Sequence, residues 1–279
     1  MSNAPQISCE FFPTKTEQGL EKLLVTAKKL EAAMNPAYFS VTFGAGGSTR
    51  EGTFHTVDAL RQVVSADIAP HLSCIASTRE QLLEILNRYQ TIGIQRIVTL
   101  RGDIIDGVSA PGELKHANEL VQFIRENFAE HFHLEVAAYP ETHPESVSSS
   151  SDLQHFINKM DAGADAAITQ YFYNIDGYLD YVERCAKLGM TKPIIPGIMP
   201  ISNFASLQRF SNTCGAEIPL WLNKRLQDFG DDTESLKAFG IDFVSELCNR
   251  LLENGAPGLH FYTLNQADTN INIYNNLNL

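Results

Sequence analysis

Two hydrophobic periods alternate along the whole of this chain, and that exchange limits the fold more than any other feature. Short β-rich runs stand at Ile7–Phe12, Tyr38–Gly44, Ile68–Cys74, Arg96–Gly102, His133–Tyr139, Ala166–Tyr173, Ile194–Pro200 and Gly258–Leu264. Between them, apolar residues fall at helical spacing. Leu20, Leu23, Leu24, Ala27 and Leu30 do so in the first interval, and Leu82, Ile85, Leu86 and Tyr89 in the third. Leu236, Phe239, Phe243, Leu247 and Leu251 mark the last. Such stripes belong to helices with one face on a core. Strands that alternate with helices build right-handed βαβ units and a parallel sheet. Eight units predict closure into an α/β fold of the (β/α)8 TIM-barrel kind. The expected organisation is one domain over residues 1–279, with 1–6 and 267–279 as tails. An open doubly wound sheet would want a G-x-G-x-x-G after its first strand, and Phe12-Pro13-Thr14-Lys15-Thr16 holds no glycine.

Local punctuation agrees. Ser77-x-x-Glu80 and Thr78-x-x-Gln81 are overlapping capping boxes at the start of the third helix. Gly93, Gly163, Gly189 and Gly255 each close a helical run a few residues before a strand, where a left-handed residue is wanted. Ser146–Ser151 reads as a flexible polar loop, a flap over the mouth. Asn203–Gly230 is long enough for two helices broken around Gly215 and Pro219, and Asn265–Leu279 reads as a tail with little core.

Charge and composition narrow the function. A net charge of −12 argues against nucleic-acid and membrane-surface partners, which are polyanions and need a basic footprint. It leaves room for a small anionic ligand held by a few local cations. Cys9, Cys74, Cys185, Cys214 and Cys248 are scattered without a C-x-x-C pair, the pattern of reduced thiols in a cytoplasmic protein rather than a zinc site. No apolar run approaches the roughly 18 residues of a membrane span, and Met1–Pro5 lacks the pattern of a secretory leader.

In a barrel the ligand sits at the C-terminal ends of the strands. Polar residues there are Glu10, Thr42, His71, Arg101 with Asp103, Tyr139 with His143, Gln170, and Asn265 with Gln266. Glu10 lies among Cys9, Phe11 and Phe12, so desolvation should favour its neutral form, as a general acid requires. The rival reading pairs Glu10 with an arginine that holds the barrel closed. Arg101-Gly102-Asp103 offers a cation, a close-approach glycine and a carboxylate, or else a tight turn with an Asp helix cap. Gly44–Thr49 is a glycine-rich turn that matches neither phosphate-binding fingerprint. His71 and His143 lack metal-ligand spacing, so no metal is expected. No strand ends in lysine, which counts against Schiff-base chemistry.

Together these segments resemble the flavin-dependent methylenetetrahydrofolate reductases from about Ile7 to Gln266. The resemblance rests on Cys9-Glu10-Phe11-Phe12-Pro13, on residues 40–47, on Ala69-Pro70-His71-Leu72-Ser73-Cys74 and on Leu100-Arg101-Gly102-Asp103. It continues through Ala137–Pro144, Asp161-Ala162-Gly163-Ala164, Ile168-Thr169-Gln170, Pro196–Pro200 and Phe261-Tyr262-Thr263-Leu264-Asn265.

The resemblance implies a barrel that holds FAD in its mouth and works in two steps, with NADH or NADPH giving hydride first and 5,10-methylenetetrahydrofolate taking it afterwards. It implies Glu10 as the general acid and Asp103 as the acidic residue beside pterin and flavin. Thr42, Ala45, His71, Arg101, Gly102, Asp103, Tyr139, His143, Asp152 and Lys159 would contact the cofactor, and Gln170, Phe210 and Gln266 the folate. Relatives often carry Tyr at His116, Asn at His155, a stronger base at Asn158 and, in some, Arg at Gln266. It further implies a homo-oligomer without the regulatory domain of longer eukaryotic relatives. The alternatives are a flavin-free barrel hydrolase or lyase using Glu10 with Asp103 or Glu141, and a flavin or folate binder that does not turn over.

Overall fold

A computed structural model describes residues 4–43, 50–103 and 112–279. The elements run β1 (Gln6–Phe11), α1 (Glu17–Met34), β2 (Tyr38–Val41), α2 (Arg50–Arg61), β3 (Asp67–Ser73), α3 (Arg79–Thr91), β4 (Arg96–Leu100), α4 (Ala117–Phe128), β5 (His133–Ala138) and α5 (Ser149–Asp161). They continue with β6 (Ala166–Thr169), α6 (Ile175–Lys187), β7 (Ile194–Ile195), β8 (Gly197–Ile198), α7 (Phe204–Cys214), α8 (Leu220–Asp228), α9 (Thr233–Glu253), β9 (Gly258–Tyr262) and α10 (Asp268–Asn275).

Every strand pairing is parallel, in the order β7-β6-β5-β4-β3-β2-β1-β9-β8. The two ends of that order, β7 and β8, are consecutive in the chain and separated by Pro196 alone. Proline has no N–H to give to a ladder, so it divides one barrel strand into two short pieces. β7 pairs with β6 and β8 with β9, which closes the sheet into the eight-stranded TIM barrel expected from the sequence. All eight β-rich runs contain a strand, and the observed strands stop short of the mouth, where the polar residues begin.

Thr78 and Gln81 form the expected capping box on α3. Gly93, Gly163, Gly189 and Gly255 all have positive φ. Gly215 caps α7 in the left-handed region and Pro219 precedes α8, so the two-helix reading of 203–230 holds.

Two expectations need correction. Ser149–Ser151 form the first turn of α5 rather than a flap, because Ser148 caps it by accepting from Ser151 N and Ser146 Oγ donates to Asp152. The C-terminal segment is not an empty tail. α10 packs on α9 and α1 and buries Ile273 completely, a single apolar anchor hidden in an asparagine-rich sequence. No helix of the described residues is long and apolar enough to cross a membrane.

Candidate active site

Alternation along each strand sends one set of side chains out to the helices and the other toward the barrel axis. In β1, Cys9 and Phe11 join the outer core, so Ser8 and Glu10 point inward. In β9, Leu259 and Phe261 face out and His260 and Tyr262 face in. Among the described residues, Tyr38, Ala69, Val98 and Ile168 form a small apolar cluster with Leu100 and Tyr262 packed on it, where barrels ordinarily stack layers of branched aliphatic residues.

Glu10 sits near the mouth with Oε2 3.2 Å from His71 Nε2 and 3.5 Å from His260 Nε2. Beneath it, His260 is completely buried, and its Nδ1 lies 2.7 Å from Ser8 Oγ. This corrects the sequence reading of Glu10 in two respects. Its partners are histidines, not an arginine. Burial does push its carboxyl upward, but the charge and hydrogen bonding of His71 and His260 together outweigh that and hold it down at about 2. Glu10 is therefore a carboxylate held between two imidazoles, not an isolated acid in an apolar pocket.

Two adjoining chambers open at the mouth. The larger, about 610 Å³, is lined by Arg101, Gly102, Asp103, Tyr139, His143, Asp152 and Lys159, with His116, His155 and Asn158 beside them. The smaller, about 390 Å³, is lined by Glu10, His71, Gln170, Phe210 and Tyr262. Leu100, Ala137 and Tyr139 belong to both walls. Most residues singled out from the sequence thus converge on one cavity system. Thr42 and the exposed Gln266 line neither chamber. Ala45 and the Gly44–Thr49 turn lie outside the described residues.

The larger chamber has cations poised for an anion. Lys159 is half-buried, hydrogen-bonds Ala137 O, and has no carboxylate within ion-pair distance among the described residues. Burial lowers its pKa to about 8, although Asp152 acts the other way. Arg101 is gripped by Glu145. His143 packs edge-on to Tyr139 at 4.5 Å, with its backbone N–H on Asp152 and its Nδ1 accepting from Glu145 N. Burial, then the charge of Asp103, pushes the Tyr139 phenol up to about 12, which keeps it a neutral donor.

Gly102 has φ +90°, and a Cβ there would fall 2.6 Å from Ile75 Cγ2 and 3.0 Å from Ser73 Cβ. The close approach that this glycine permits is to the end of β3. Asp103 is exposed and does not cap α4, a place taken by His116. Glu10, Asp103 and Glu141 line three different cavities, and Glu141 accepts from Glu217 N at 2.8 Å. No group of three His, Cys, Asp or Glu among the described residues could hold a metal.

Sequence reasoning passed over Ser8, His260 and Glu145. The signal for His260 was its inward place between Leu259 and Phe261. Glu145 carried none, since it reaches Arg101 only through the folding of the β5–α5 loop.

The family model described as methylenetetrahydrofolate reductase matches residues 1–278. The chain is 39% identical over 277 residues to "5,10-methylenetetrahydrofolate reductase" of Buchnera aphidicola subsp. Acyrthosiphon pisum (strain APS), covering 99% of this chain and 93% of that protein. It is 38% identical over 285 residues to "Methylenetetrahydrofolate reductase (NADH) 1" of Arabidopsis thaliana, covering 98% of this chain and 48% of the other. The chain thus spans about half the length of the plant relatives it matches. A solved structure described as an uncharacterized protein from Clostridium thermocellum that binds two copies of 5-methyl-5,6,7,8-tetrahydrofolic acid shares the fold. Its TM-score is 0.69 at 17% identity, over 98% of this chain and 95% of that one.

Proposed function

The chain belongs to the methylenetetrahydrofolate reductase family, and from that premise we propose that it reduces 5,10-methylenetetrahydrofolate to 5-methyltetrahydrofolate. In this reading NADH or NADPH is the electron donor, FAD occupies the larger chamber, and the two substrates use the site in turn. The observation that carries it is the contact of Glu10 with two imidazoles on the wall of the smaller chamber, which opens past Tyr139 into the larger one.

The residues suit the cofactor. A cavity of about 610 Å³ has the size of a cofactor site. Lys159 is a half-buried cation whose one hydrogen bond among the described residues is to a carbonyl, and Arg101 offers a planar fork for a pyrophosphate. Tyr139, His143, Asp152, Gly102, Thr42 and Ala45 complete the assigned set. His71 joins the Glu10 cluster, since it lines the smaller chamber. When bound, FAD supplies the hydride exchange.

The chain's own groups do the rest. Phe210 stacks on the planar folate ring, and Gln170 and Gln266 offer hydrogen bonds. The Glu10 cluster gives a proton to the nitrogen that leaves as the five-membered ring opens. The negative charge of Asp103 favours the cationic iminium that results.

Anaerobic stopped-flow absorbance at the flavin band tests this. NADH should bleach the FAD-loaded protein and methylenetetrahydrofolate should then restore the yellow form. A protein that binds no FAD on reconstitution refutes the reading, and bleaching without recovery refutes its folate half.

A further inference from the structure

β9 does not run straight out of the barrel. Beyond Tyr262 the chain enters a tight turn in which Gln266 N donates to Thr263 O at 3.0 Å. Its two central residues, Leu264 and Asn265, have φ of 52° and 57°. Glycine and asparagine suit such positions, whereas the Cβ of leucine crowds the following carbonyl. No other adjacent pair of non-glycine residues among the described ones has positive φ. A strained turn persists only where its surroundings hold it, and such turns gather at working sites.

This one is held from two sides. On the outer side Asn270 of α10 is completely buried, and its Nδ2 donates to Thr263 O and Gln266 O at 3.3 and 2.8 Å. On the inner side the bonds go to the stretch of backbone that carries Glu10. The fully buried Thr263 hydroxyl donates to Glu10 O at 2.6 Å. The Asn265 amide accepts from Phe12 N at 3.0 Å and donates to Phe12 O at 2.9 Å.

Regular pairing of β1 with β9 ends at Glu10 and Tyr262. Past that point the turn supplies side-chain groups in place of the next ladder bonds. The other edge of β1 is held as well, because Thr42 N donates to Phe11 O at 2.9 Å. Glu10, Phe12, Thr263 and Leu264 all line the smaller chamber.

We propose that Asn265, assisted by Thr263, is a positioning residue for Glu10. Their side chains fix the backbone at and just beyond Glu10, and so hold its carboxylate on the chamber wall between His71 and His260. The inference rests on the reductase reading and deepens it, since only the folate step draws a proton from Glu10. The clamp and the turn can be separated. Glycine at 265 adopts positive φ more readily than asparagine but has no amide to reach Phe12.

Stopped-flow absorbance on the FAD-loaded protein tests this. In Asn265→Gly, flavin bleaching by NADH should stay within about twofold of wild type, while reoxidation by saturating methylenetetrahydrofolate slows about tenfold. The dissociation constant of 5-methyltetrahydrofolate should stay within about threefold, because the clamp acts on the proton donor rather than on affinity. Thr263→Val should slow the same step, and Thr263→Ser, which keeps the hydroxyl, should restore it. A residue that acts through Glu10 adds nothing once the proton donor is gone. Reoxidation of the double variant Asn265→Gly, Glu10→Gln should therefore match that of Glu10→Gln within about twofold.

Losses that multiply in the double variant would overturn the inference. So would bleaching or folate affinity that falls as far as reoxidation does, the mark of a mouth loosened as a whole. Reoxidation at the wild-type rate in both Asn265→Gly and Thr263→Val would overturn it too. Wild-type protein that NADH bleaches and methylenetetrahydrofolate never reoxidises would remove the reductase reading, and the inference with it.

Discussion

Both oxygens of the Glu145 carboxylate hold the Arg101 guanidinium, at 2.6 and 3.1 Å, on the wall of the larger chamber. The clamp occupies the same donors that a pyrophosphate would use. Glu145 is more than half exposed, so the pair is worth about 0.2–1 kcal/mol and a bound dianion can displace it.

Glu145→Gln should therefore tighten FAD binding by up to about fivefold at low salt, the equivalent of about 1 kcal/mol. The gain should shrink as ionic strength rises. Fluorescence titration of the apoprotein with FAD measures it. Weaker binding in the variant would place Arg101 outside the cofactor site.

Glu10→Gln keeps size and hydrogen bonding but cannot supply the proton. Flavin bleaching by NADH should persist near the wild-type rate, while reoxidation by methylenetetrahydrofolate falls by about 10²–10⁴. Rapid mixing separates the two steps, and retained folate turnover would remove Glu10 from its assigned role.

Asp103→Asn removes a negative charge from the larger chamber without changing its shape. Folate reduction should slow strongly because the iminium loses its counter-charge, while the nicotinamide step stays the same or becomes faster. A selective loss of flavin reduction would contradict this placement of Asp103.

Lys159 makes cofactor binding depend on pH. Its amine is charged below about 8 and loses its charge above that value. FAD affinity should weaken between pH 7 and 9.5 in wild-type protein and stay flat, and weaker throughout, in Lys159→Met. The apoprotein should show the opposite trend in stability. The folded pKa lies below the unfolded one, so the cost of burying the charge is full below pH 8 and is relieved as pH rises toward 10.5. Thermal melts with and without FAD at the same pH values check both signs.

The fold was largely legible because strand and helix periods are local. Ile7–Phe12 and Gly258–Leu264 announce themselves without any knowledge of their partners. Pro196 shows how a local breaker acts: it divides β7 from β8 without breaking the barrel, since each piece pairs with a different neighbour. The C-terminal helix was not legible, because what holds it is the burial of Ile273 against distant helices.

Placement at the mouth was legible for Arg101, Tyr139, His143 and Gln170, all at strand ends. The electrostatics of Glu10 were not. Its immediate neighbours are apolar and predict a raised pKa, while the groups that decide it, His71 and His260, come from β3 and β9.

The pairing of β1 with β9 also governs when this protein can become stable as it is made. Residues Gln6–Glu10 stand against Gly258–Tyr262, and the mouth end of that seam is clasped by Asn265, whose side chain bonds both Phe12 N and Phe12 O. During synthesis the ribosome must release the chain through Tyr262 before β1 gains its second neighbour. At about 5–20 residues per second, the growing sheet keeps an unpaired, hydrophobic edge for tens of seconds. Slowing translation of the last strand should therefore lower the yield of folded protein before it alters any property of the finished molecule.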